Sequence, residues 1–126
     1  MNADVKLLRQ MMMFACIGAV NTLVHGGAVI LAIEIFALNQ ISSNVIGFFI
    51  ANVISYMLNS KYTFSRTLNL RSYLFFVFSS LNILALTLLF SSLSHFMDWH
   101  YLVGLALVLF VSPLISFLVN KRFVFK

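Results

Sequence analysis

The Asp, Glu, Lys and Arg residues of this 126-residue chain fall in clusters, and the gaps between them constrain the fold more than any other feature. Counting His as neutral, 24 uncharged residues separate Arg9 from Glu34, 26 separate Glu34 from Lys61, 26 separate Arg71 from Asp98, and 22 separate Asp98 from Lys121. About 20 apolar residues, rising about 1.5 Å each, cross a hydrocarbon core of about 30 Å, so each gap holds one membrane-spanning helix. Composition agrees: 62% of residues are hydrophobic and 9% charged, where a soluble domain carries about a quarter charged. A chain this short exposes too much of its surface to hide that much apolar side chain from water.

The expectation is an all-α integral membrane protein with four transmembrane helices, near 10–36, 41–59, 72–97 and 101–120, forming one membrane domain over 1–126. Leu38 to Asn44 and Met97 to His100 read as short polar connectors, and Lys61 to Arg71 as the longest one. The first apolar run follows Lys6 and Arg9, as in a signal peptide, but it exceeds an h-region of about 7–15 residues and reaches Glu34 without a small-residue cleavage site. It is read as a retained helix. Cys16, the single cysteine, has no internal partner for a disulfide.

All eight basic residues fall on one side of a four-helix hairpin: Lys6 and Arg9, then Lys61, Arg66 and Arg71, then Lys121, Arg122 and Lys126. Glu34 and Asp98 mark the other side. The positive-inside rule then makes both termini and the central loop cytoplasmic. The net charge of +5 is accounted for by topology and anionic-lipid contact, and calls for no nucleic acid.

The segment from Ile54 to Phe64 aligns without gaps on Ile115 to Phe125, always 61 residues apart, and the same offset pairs Phe14 with Phe75 and Asn21 with Asn82. The two halves are therefore expected to be parallel two-helix repeats related by an axis along the membrane normal. The repeated element reads Asn, any residue, Lys or Arg, aromatic, any residue, Phe. Asn can bridge frayed backbone groups, the cation reaches phosphates, and the rings sit at the headgroup level.

Polar side chains within the spans are costly unless they face protein or water. Asn21, Thr22 and His25 lie at i, i+1 and i+4, beside Gly18, Thr22 and Gly26 at a spacing suited to helix packing. Asn52, Ser55 and Asn59 run along the second span, and Ser112, Ser116 and Asn120 along the fourth. With Asn82 in the third, these stripes would line one polar cleft opening to the cytoplasm. A lone His in a span is more often a packed side chain than a proton relay, and Glu34, about 900° further around the helix, points away from His25. Pro113 removes a backbone donor, so a kink is expected there.

No phosphate-cradling Gly-rich loop, no metal-ligand spacing of His or Cys, and no acidic pair within the spans supports catalysis or a cofactor. His95 and His100 flank Asp98 on an interfacial turn too loose for preorganised chemistry.

Phe14 with Val20 to His25, and the doubled element at Asn59 to Phe64 and Asn120 to Phe125, resemble the GtrA-like family of four-helix membrane proteins over essentially the full length. The run Gly18 to His25 looks closest to its O-antigen glucosylation branch. The resemblance implies a non-enzymatic flippase in a bacterial cytoplasmic membrane. It would move a polyprenyl-phosphate-linked monosaccharide, such as undecaprenyl-phosphate glucose, to the outer leaflet, between membrane glycosyltransferases that make and use it. The substrate-binding residues expected are Lys61 and Arg122 on the phosphate and Asn21, His25, Asn52, Asn59, Asn82 and Asn120 on the sugar. The second half has no match to Gly18, and Leu86 stands opposite His25, so the two halves are not equivalent. A small multidrug or cation exporter and a noncatalytic scaffold for a glycosyltransferase are the competing readings. The small-residue stripe also suits a homodimer.

Overall fold

The computed structural model describes residues 1–100, 103 and 106–125. Regular structure among them is all helical, and it divides into two compact units, Met1–Leu68 and Asn69–Lys126. Helix α1 runs Ala3–Glu34, α2 Gln40–Leu58, α3 Leu70–Phe96 and α4 Ser112–Val119. Three π-helical turns adjoin them: π1 at Asn59–Thr63, π2 at Leu107–Val111 and π3 at Asn120–Val124. Ala3–Glu34 and Gln40–Thr63 are long and apolar enough to cross a membrane, and Leu70–Ala85 is a shorter apolar stretch. The start expected for the fourth span, at 101, lies outside the described residues, as does the side chain of His95.

α1 begins seven residues earlier than expected. Its 32 residues reach about 48 Å, more than a hydrocarbon core of about 30 Å, so the first turns with Lys6 and Arg9 extend beyond it. After Glu34 the chain turns at Ala37, whose φ of 51° is left-handed, and the Leu38 amide donates back to the Ala32 carbonyl at 3.1 Å. The polar run read as a connector is instead the beginning of α2. Asn39 Oδ1 accepts from the Ser42 amide at 2.8 Å, and the Ser43 hydroxyl donates to the Asn39 carbonyl at 2.8 Å. Asn and Ser serve a helix N-cap as readily as a loop.

The long connector shortens in the same way. π1 carries the second helix to Thr63, Ser65 takes a φ of 52°, and the Arg66 amide donates to the Ser60 carbonyl at 2.7 Å. Asn69 then caps α3, its Oδ1 accepting from the Ser72 amide at 2.8 Å, so α3 starts two residues before the expected boundary. Near Pro113 the helix changes pitch. π2 precedes it, the Ser112 amide donates to the Leu107 carbonyl, and Pro113 occupies the first turn of α4, where its missing donor costs least.

The seam of the first unit lies along α2. Ser43, Gly47, Ala51, Ser55, Asn59 and Thr63 recur every fourth residue, and all are buried. A methyl carbon placed on Gly47 would lie 2.8 Å from Val29 Cγ2, 3.0 Å from His25 Cδ2 and 3.2 Å from the His25 carbonyl oxygen. The backbones of α1 and α2 therefore meet at Gly47, as small residues allow helices to do in lipid. The stripe that stood out in the sequence, Gly18, Thr22 and Gly26, faces elsewhere: Thr22 is exposed and bonds the Gly18 carbonyl, and nothing lies within 4 Å of a methyl added at Gly18 or Gly26.

In the second unit α3 packs on π2, α4 and π3, burying Phe76, Ser79, Phe117, Asn120, Val124 and Phe125.

Replacing Gly47 by Ala is expected to destabilise the protein by about 1–3 kcal/mol through overpacking, lowering its melting temperature in detergent. Gly18→Ala, with open space around the new methyl, should melt at or slightly above wild type. A Gly47→Ala melt matching wild type would show that α1 and α2 are not in backbone contact there.

Candidate functional site

Each unit carries the same structure at the repeated element. The Phe64 amide donates five residues back to the Asn59 carbonyl at 3.0 Å, and the Phe125 amide to the Asn120 carbonyl at 2.9 Å. Inside each turn the Asn side chain acts as a staple. Asn59 Nδ2 donates to the Ser55 carbonyl at 3.0 Å and the Ser55 hydroxyl at 3.3 Å; Asn120 Nδ2 donates to the Ser116 carbonyl at 2.8 Å and the Ser116 hydroxyl at 3.3 Å. Asn59 and Asn120 are each only 2% exposed. The fixed Asn of the motif thus ties its π-turn to the helical turn before it, giving a second donor to a carbonyl that already accepts the backbone amide of the same Asn, and the basic and aromatic residues that follow are presented outward: Lys61, Tyr62, Lys121, Arg122 and Phe123 are exposed.

The copies differ at one atom. Thr63 donates its hydroxyl to Asn59 Oδ1 at 2.9 Å, closing that staple completely. Val124 stands at the same place in the second copy and has no hydroxyl, so Asn120 Oδ1 is buried with no hydrogen bond among the described residues.

The helix before each turn follows a different offset. The Phe14 ring meets Phe64 edge-on at 6.3 Å between centroids, and Phe76, not Phe75, meets Phe125 at 6.0 Å. Ile17 and Ser79, likewise 62 apart, are both buried. The first half uses 45 residues from Phe14 to Asn59 (59 − 14) and the second 44 from Phe76 to Asn120 (120 − 76). The pairings of Phe14 with Phe75 and of Asn21 with Asn82 therefore do not hold. A shift of one residue rotates a helix by about 100°. Asn21 is half-buried, while Asn82 is exposed and bonds the Phe78 carbonyl of its own helix at 2.8 Å.

Within the first unit His25 packs against Gly47, and four residues before His25 the antiparallel register brings Asn21 level with Ala51; Asn52 is buried. Asn21 Oδ1 is shielded and accepts no hydrogen bond among the described residues. His25 lies in the α1–α2 seam, with Asn21 one turn away on the same helix. Lys61 stands outside it, its Nζ 5.1 Å from the centre of the Tyr62 ring. Within the second unit Asn82 borders a cavity of about 380 Å³, Asn120 is buried in π3, and Arg122 is exposed.

Reasoning from sequence passed over a second set of polar residues. With the 62-residue offset Arg9 is equivalent to Arg71 and Gln10 to Ser72, and each pair sits beneath its π-turn. Lys6, Arg9 and Gln10 line a pocket of about 130 Å³ with Tyr62, Thr63 and Phe64. Asn69, Arg71 and Ser72 line one of about 300 Å³ with Phe123 and Val124. The signal was an Arg five residues ahead of each stacking Phe, Arg9 before Phe14 and Arg71 before Phe76. No group of three or more His, Cys, Asp or Glu side chains among the described residues has metal-binding geometry.

Thr63→Val should leave Asn59 Oδ1 buried and unpaired, at a cost of about 1–3 kcal/mol, whereas Val124→Thr should supply the missing donor and gain about 1 kcal/mol. Thermal unfolding of both variants in one detergent reads this directly. Shifts of the same sign would remove the asymmetry between the copies.

No curated protein and no solved structure matches the chain. Residues 13–126 match the family described as GtrA/DPMS, transmembrane domain, which takes in all three described π-turns and the described helices apart from the first turns of α1. The chain belongs to the GtrA/DPMS transmembrane-domain family and is an integral membrane protein.

Proposed function

We propose that this protein translocates a polyprenyl-phosphate-linked monosaccharide, of the undecaprenyl-phosphate glucose type, from the cytoplasmic to the outer leaflet. The observation that carries the reading is the family match over residues 13–126. It is supported by basic side chains gathered at both π-turns, the kind of rim an anionic headgroup would meet.

In this reading four spans cross the membrane as two parallel repeats, with both termini and the basic connector in the cytoplasm of a bacterial inner membrane. The physical problem is the headgroup. Sugar hydroxyls and a phosphate are costly in hydrocarbon, while the chain is at home there. Lys61 and Arg122, equivalent in the repeat and both exposed, attract the phosphate to the rim. Polar side chains along the helices, Asn21, His25, Asn52, Asn82 and Asn120 among them, lower the barrier for the sugar. Asn59 contributes by holding the first turn in shape, both ends of its amide being engaged.

The protein forms and breaks no covalent bond. One membrane glycosyltransferase supplies its substrate and another consumes it in modifying O-antigen or a similar surface polymer. The open face at Gly18 and Gly26 suits a second copy of the chain.

The test is leaflet transfer of a water-soluble polyprenyl-phosphate-sugar analogue in proteoliposomes. Wild-type protein should accelerate transfer over empty vesicles, and Lys61→Ala with Arg122→Ala should slow it severalfold, most strongly at low salt. Transfer no faster than in empty vesicles would refute the proposal. An unchanged rate in the double variant would remove the two cations from it.

A further inference from the structure

Two cavities of the second unit share a wall. The larger, about 380 Å³, lies between α3 and the α4–π3 segment, and Phe75, Phe78, Ile83, Ile115, Val119 and Phe123 give it a mainly hydrocarbon lining. The smaller, about 300 Å³, opens at the start of α3, where Asn69, Arg71 and Ser72 face Phe75, Phe123 and Val124. Phe75, Phe123 and Val124 belong to both. The arrangement runs from a polar, cationic mouth to an apolar interior.

We propose that the two cavities form one binding site for a lipid phosphate, with Arg71 holding the phosphate and the first part of the hydrocarbon chain lying in the larger cavity. The class of amphiphile rests on the translocation reading; the position and polarity of the site rest on the cavities themselves.

The mouth is built to keep its shape. Asn69 Oδ1 holds the Ser72 amide at 2.8 Å, and the Ser72 hydroxyl holds the Val124 carbonyl at 2.9 Å, tying the first turn of α3 to π3. The Arg71 guanidinium stands over Phe75, 5.9 Å from the ring centre, at the junction of the two cavities. A guanidinium can grip a phosphate with two parallel hydrogen bonds, and the N-terminus of a helix as long as α3 favours an anion as well. Among the described residues no acidic side chain lines either cavity. A phosphate here meets the complementary charge of Arg71.

The interior decides which end of the amphiphile enters. Ser79, 4% exposed and with no hydrogen-bond partner for its hydroxyl among the described residues, and Asn82, whose Nδ2 is engaged by the Phe78 carbonyl, are the two polar side chains on an otherwise apolar described wall. A sugar would leave most of its hydroxyls unsatisfied there, whereas a prenyl chain needs no partners. The equivalent pocket beneath π1, at about 130 Å³, has Lys6 and Arg9 but far less volume. The two halves would therefore treat the lipid differently.

Binding of undecaprenyl monophosphate to the full-length protein in detergent, measured by native mass spectrometry, tests the site. Undecaprenol and inorganic phosphate serve as competitors. Wild type should bind the lipid phosphate, and neither competitor alone should displace it. Arg71→Gln should weaken binding by about tenfold or more, and Arg71→Lys should restore part of the loss. Arg66→Gln, which removes the same charge from the neighbouring connector, should have little effect. Val119→Trp, filling the larger cavity, should abolish binding, and Ser79→Ala should leave it intact. Unchanged melting temperatures for the Arg71 variants exclude misfolding as the cause.

Equal weakening by Arg66→Gln and Arg71→Gln would overturn the site in favour of overall charge. A loss on Ser79→Ala, or displacement by inorganic phosphate, would overturn the placement of the chain, and a wild type that binds nothing would overturn the whole. Lipid binding without leaflet transfer would sink the translocation reading and leave this site standing. Full transfer and full affinity in Arg71→Gln would sink the site and leave that reading intact.

Discussion

A hydrocarbon solvent supplies no hydrogen bonds, so each backbone carbonyl freed by a change of helix pitch must find its donor within the protein. That requirement organises both ends where the basic residues gather. Where the last turn widens from α to π, the Ser55 and Ser116 carbonyls keep the backbone amides of Asn59 and Asn120, and the buried side-chain amides of the same two residues add a second donor to each. The added bond holds each Asn side chain inside its turn. The motif is thus a structural device first. Its chemical consequence is the exposed row of Lys61, Tyr62, Lys121, Arg122 and Phe123.

Helix contact in the first unit follows from the same solvent. Lipid tails are as apolar as Leu, so burying large side chains gains little, and close backbone approach takes over. The four-residue repeat of small side chains along α2 allows it, with Gly47 resting against the His25 backbone. Large apolar residues face outward instead, Leu23 at 77% and Ile41 at 79% exposed. In a water-soluble protein this would be an inverted surface; in a membrane protein it is the surface lipid requires.

Much of this was legible in the chain. The uncharged gaps located α1, α2 and α3 to within a few residues at most of their ends, and the doubled motif marked the two segments that the structure shows as π1 and π3, though not their π pitch. The errors have physical causes. Asn39, Ser42, Ser43 and Asn44 looked like a loop because capping residues and loop residues are the same residues. Gly18, Thr22 and Gly26 looked like the contact stripe because small residues at a four-residue spacing say that a contact is possible, not which face makes it. The pairing of Asn21 with Asn82 looked exact because an ungapped offset cannot register that one half is a residue shorter between its stacking Phe and its Asn.

The sequence by itself determined the solvent, the helical class, the positions of the first three helices and the repeat of one motif in both halves, because charge and periodicity act locally and are written in order along the chain. Tertiary structure decided which polar atoms are satisfied and which remain open. Thr63 and Val124 differ by one hydroxyl, yet only the three-dimensional turn shows that this hydroxyl closes Asn59 and that its absence leaves Asn120 open. It also engaged Asn82 with its own helix and set Arg71 at the mouth of a cavity. A helix rotates by about 100° for each residue of register, so which way a side chain faces depends on where two helices lock together, and no single stretch of sequence contains that information.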